Sequence, residues 1–76
     1  MPGEMPDKAR ELFLIFKDAV QAEREAQTTY KHAAELSQDK ELKGLLMSFC
    51  RDEARHEKAL IQRYNRLRKK YGFQDE

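Results

Sequence analysis

The sequence predicts an all-α fold, an antiparallel two-helix hairpin that dimerises into a four-helix bundle. Three observations carry this. Both prolines and one of the three glycines fall within the first six residues, so the rest is nearly free of helix breakers. Two long stretches place apolar residues every three or four positions, with a short polar break between them. And 76 residues make one small domain whose single core rarely holds it folded alone. Disulfide, metal or oligomerisation must then assist, and a lone cysteine, Cys50, excludes the first within the chain.

The first helix is expected over about residues 7–37, opening on Pro6-Asp7 as helix N-termini prefer. Leu12, Phe16, Ala19, Glu23, Ala26, Tyr30, Ala33 and Ser37 recur at alternating steps of four and three, a stripe that packs helix against helix. The break is Ser37-Gln38-Asp39-Lys40, where Ser37 or Asp39 can cap the next helix. That second helix is expected over about residues 39–71 and carries a like stripe. Its members are Leu42, Leu46, Phe49, Glu53, His56, Leu60, Tyr64, Leu67 and Tyr71, and Gly72 is the expected stop. Two amphipathic helices leave half of each stripe wet, which is the reason to expect at least a homodimer. Phe13, Leu14 and Ile15 widen the stripe near the start of the first helix and suggest a larger, ring-like assembly of dimers.

Charge narrows the function classes. The net charge of +1 gives no bulk attraction for nucleic acid or an anionic membrane. No apolar run approaches the ~20 residues of a membrane span. Met1 to Asp7 does not read as a signal peptide, so a cytoplasmic protein is expected.

Three residues break the stripes. Glu23 stands at a core position of the first helix, Glu53 and His56 at two such positions of the second. An unpaired carboxylate in a core costs several kcal/mol, so each needs a partner. With the turn near Gln38, Glu23 and Glu53 lie at one level of the hairpin, and His56 one helical turn beyond Glu53. Facing carboxylates repel, and a cation removes the repulsion. Two carboxylates and an imidazole suit iron, with manganese or zinc as alternatives. Glu53-Ala54-Arg55-His56 has the Glu-x-x-His spacing of di-metal helical bundles, which add a lone Glu from each of two further helices. One chain supplies half of that set and a symmetric dimer all of it.

Here the chain resembles the ferritin-like superfamily, in its rubrerythrin and encapsulated-ferritin branches. The carrying segments are Glu23-Arg24-Glu25-Ala26-Gln27-Thr28-Thr29-Tyr30 and Arg51-Asp52-Glu53-Ala54-Arg55-His56-Glu57, thirty residues apart from Glu23 to Glu53. Asp39-Lys40-Glu41-Leu42 resembles the acidic opening of the family's second helix. The resemblance implies a two-helix subunit whose di-iron centre forms across a dimer interface. It implies a ferroxidase that oxidises Fe(II) for iron storage or detoxification, with O₂ or hydrogen peroxide as oxidant. Glu23, Glu53 and His56 would be metal ligands and catalytic residues, Tyr30 a neighbour of the site, and Glu25 part of an outer metal position. Housing in an encapsulin shell is also implied, although Gly72-Phe73-Gln74-Asp75-Glu76 shows no recognisable docking tag. One cysteine cannot build the rubredoxin module of a rubrerythrin peroxidase. The competing readings are a rubrerythrin-like module that reduces peroxide and a metal-free helical interaction protein.

Other residues have plainer explanations. Cys50 reads as small packing beside the stripe, and His32 as surface. Arg63, Arg66, Arg68, Lys69 and Lys70 suit the negative end of a helix. Arg51, Asp52, Arg55, Glu57 and Lys58 read as a solvated ion-pair face.

Overall fold

The computed structural model describes residues 7–72, which form two helices, α1 (Asp7–Leu36) and α2 (Lys40–Tyr71), packed as an antiparallel hairpin. Pro6, the expected helix start, and the tail 73–76, where a shell tag would stand, lie outside the described residues. The turn is closed by the residues expected to close it. The Asp39 side chain accepts from the Glu41 N–H at 2.9 Å, and the Asp39 N–H donates to Ser37 Oγ at 3.2 Å. At the other end Gly72 takes φ 64°, a left-handed cap whose N–H reaches the Arg68 and Lys69 carbonyls.

The molecule is 58 Å long and 19 by 14 Å across, a single layer of two helices. Such a layer encloses little: Ala9, Phe13, Ala34 and Tyr64 are the buried residues among those described. The main cluster lies at the open end, where the Phe13 and Tyr64 rings meet edge to face at 5.2 Å. Phe16, Leu67 and Tyr71 pack around them.

The inner stripes keep the expected heptad rhythm and most of the expected members. On α1 Phe16, Ala19, Glu23, Ala26, Tyr30, Ala33 and Ser37 are partly buried as expected, and Ala9, Phe13, Val20, Gln27 and Ala34 are at least partly buried beside them. On α2 the inner stripe is Leu46, Cys50, Glu53, Glu57, Leu60, Tyr64, Leu67 and Tyr71. Leu12, Leu42, Phe49 and His56, expected inside, are exposed in the single chain. Phe13, Cys50 and Glu57 take inner positions instead. The reason is that each apolar face is wider than one partner helix can cover. The hairpin covers one edge of it, and Leu12, Ile15, Leu42, Leu45 and Phe49 are left open beside the contact. No helix among the described residues is long and apolar enough to cross a membrane.

Candidate metal centre

Glu23 lies near the middle of α1 and Glu53 near the middle of α2, both on the inner stripe. Each offers a carboxylate at the same level of the hairpin, as the turn position requires. His56 stands one helical turn after Glu53, at the edge of the contact, with 59% of its side chain exposed. Its Nδ1 lies 3.2 Å from Glu23 Oε2 and 3.4 Å from Glu53 Oε1. One ligand atom from each of the three residues falls within 4.8 Å of the others.

These distances fit a shared cation. Ligands bound side by side at ~2.1 Å from a metal stand about 3.0 Å apart, close to the spacing here. The donor set, two hard carboxylate oxygens and an imidazole nitrogen, is one that first-row divalent ions accept. A second sign is Glu23 Oε2 itself, which is enclosed and has no hydrogen-bond donor in proper geometry. A buried carboxylate oxygen left that way is costly. A cation among the three side chains would satisfy it.

The electrostatics agree. Glu53 is held above the usual carboxylate range, first by its hydrogen bond with Glu23, then by lost hydration and by the Glu23 charge. Without a cation, ionising Glu53 beside Glu23 is therefore disfavoured. Behind them Glu57 is held below that range, first by Arg24 and then by Gln27. Arg24 Nε and Gln27 Nε2 each donate to it at 2.7 Å, one to each oxygen. Glu57 thus ties α2 to α1 beside His56 and is no solvated surface acid. Cys50 sits on the inner stripe, its thiol donating to the Gln27 carbonyl at 3.5 Å.

The triad opens sideways rather than into a closed core. A groove lined by Tyr30, Phe49, Asp52, Glu53, Arg55 and His56 runs along that flank, with the Tyr30 and Phe49 rings 5.4 Å apart. Tyr30 lines this groove together with Glu53 and His56. Asp52 and Arg55 form a solvent-facing ion pair, as the sequence suggests, and also line this groove. Glu25 is not brought to this place. It is exposed and lines a separate shallow groove with Gln21, Arg24, Thr28 and Thr29. His32 is exposed as expected.

No protein-family model matches the chain, and neither does any curated protein or solved structure. The functional reading rests on the residues themselves.

Proposed function

We propose that two copies pack flank to flank as a four-helix bundle and hold a pair of iron ions through Glu23, Glu53 and His56 of each. The protein would then be a ferritin-like ferroxidase acting on Fe(II). The observation that carries this reading is the convergence of three ligand side chains from two helices, one of them with an enclosed, unsatisfied carboxylate oxygen.

Symmetry supports the second copy. The triad sits midway along the hairpin and opens on one flank, so a two-fold axis through it would bring both triads together. The same axis, set across the hairpin, lays the open end of one copy on the turn end of the other. Leu12 and Ile15 then approach the other copy's Leu42, Leu45 and Phe49, covering both exposed patches at once. Ala19, Ala26 and Ala33 recur every seven residues on this flank and let a neighbouring helix come close.

A bound pair of ferrous ions supplies two one-electron donors to a single oxidant, O₂ in this reading. The protein's share is to place and neutralise. The glutamates offset the ionic charge, His56 binds in its neutral form, and Tyr30 and Phe49 narrow the groove by which water reaches the triad.

A metal-free interaction dimer draws on one observation, the raised Glu53, because a carboxyl that gives up its proton less readily is easier to enclose in a bundle without a cation. One measurement separates the two. Protein stripped of metal and reloaded anaerobically with Fe(II) is expected to hold about one iron per chain in a dimer or larger species. Glu53→Ala should lose that iron. A well-folded dimer that retains none would make the carboxylates structural and end the ferroxidase reading.

A further inference from the structure

The two flanks of the hairpin differ. Opposite the triad's flank, a groove of about 340 Å³ runs between α1 and α2 towards the open end. Lys17 and Arg24 line it from α1, at positions seven apart, with Gln21 between them. Asn65 and Arg68 line it from α2, over an apolar floor that includes Ile61. No carboxylate lines it among the described residues. Every polar side chain there can donate a hydrogen bond.

Arg68 is the telling residue. It is half-buried, yet its guanidinium makes no hydrogen bond or ion pair among the described residues, and neither do the amides of Gln21 and Asn65. The Arg68 guanidinium nitrogens keep contact with solvent and are open to an incoming anion. The C-terminal position of Arg68 on α2 accounts for its charge but not for its place on a groove wall beside other donors. Arg24 spends its Nε on Glu57 and still presents a cation to the groove.

We propose that this groove binds a phosphate-bearing small molecule. The cations and amides would take the phosphate, and the apolar floor a non-polar or planar body. The volume is at the lower bound of small-molecule sites and exceeds what a bare phosphate fills. The site does not depend on the metal reading, because it shares no ligand with the triad and lies on the other flank.

The test is a titration of the full chain with adenosine monophosphate, inorganic phosphate and adenosine, followed residue by residue by amide NMR shifts. Adenosine monophosphate should bind saturably, at least about tenfold more tightly than either fragment, and should shift Gln21, Ile61, Asn65 and Arg68. Arg68→Glu should lower its affinity at least about tenfold, with Arg68→Gln intermediate. Arg66→Glu, the same charge change on the other flank, should lower it no more than about twofold. Unchanged helical circular dichroism confirms that the variants fold. Absence of saturable binding, or equal losses in Arg66→Glu and Arg68→Glu, would overturn the proposal, the latter showing only general attraction to a basic helix end. Binding of phosphate as tight as that of the nucleotide would remove the apolar floor from the site and overturn it too.

Discussion

Glu53 and Glu57 are one helical turn apart on the inner stripe and are pushed in opposite directions. Glu57 is stabilised as a carboxylate by Arg24 and Gln27, so its contribution is present above the ordinary carboxylate range and fades as pH falls through its lowered value. Glu53 is the reverse. Its raised value means that the folded chain holds a proton the unfolded chain has released, so metal-free stability declines as pH rises from the ordinary range through the raised value. Through these two groups the metal-free chain is expected to lose stability in acid, where Glu57 is protonated, and again as pH rises past the ordinary carboxylate range, where Glu53 ionises. Glu23→Gln should flatten the decline on the alkaline side, and thermal melts across pH in chelator check this. Affinity for the proposed metal should show the opposite trend and strengthen with pH, because Glu53 must shed its proton to ligate.

At the scale of the helices, Gly44 is the one weak link inside α2. It is exposed, its φ is not positive, and a Cβ there would meet nothing within 4 Å. Gly44→Ala is expected to stabilise the protein by about 1 kcal/mol, readable as a higher urea midpoint. The helices, their caps and their ends are legible in the sequence because short-range chemistry decides them: Asp39 before α2, Gly72 after it, few breakers between. The pairing of Glu23 with Glu53 and His56 is legible too, since the turn position sets the level of each residue. The edges of each stripe are not. Phe13 and Leu12, Glu57 and His56, Cys50 and Phe49 are neighbours on apolar faces wide enough to bury either member. Which one turns inward depends on the fit between helices. Gln27 has no signal of its own, for its role exists only opposite Glu57.

The whole molecule is one helix thick, and much of its apolar surface lies on the flank that bears the triad. Phe49 is central to that surface, beside Tyr30 and His56. If two copies pair through this flank as proposed, Phe49→Lys should leave the secondary structure in place at high concentration while shifting the equilibrium towards monomer by at least about tenfold in dissociation constant. Sedimentation over a concentration series reads this directly. An unshifted equilibrium would place the contact elsewhere.

The buried residues stand at the two extremities, Ala9, Phe13 and Tyr64 at the open end and Ala34 by the turn. Between them the helices are joined at the triad's level by polar side chains: Glu23, Gln27, Arg24 and Glu57. The middle of the hairpin is thus a polar seam in an otherwise apolar contact. A metal held there as proposed would meet two carboxylates and an imidazole drawn from two helices, and discrimination among manganese, iron and zinc should track the preference of those donor atoms.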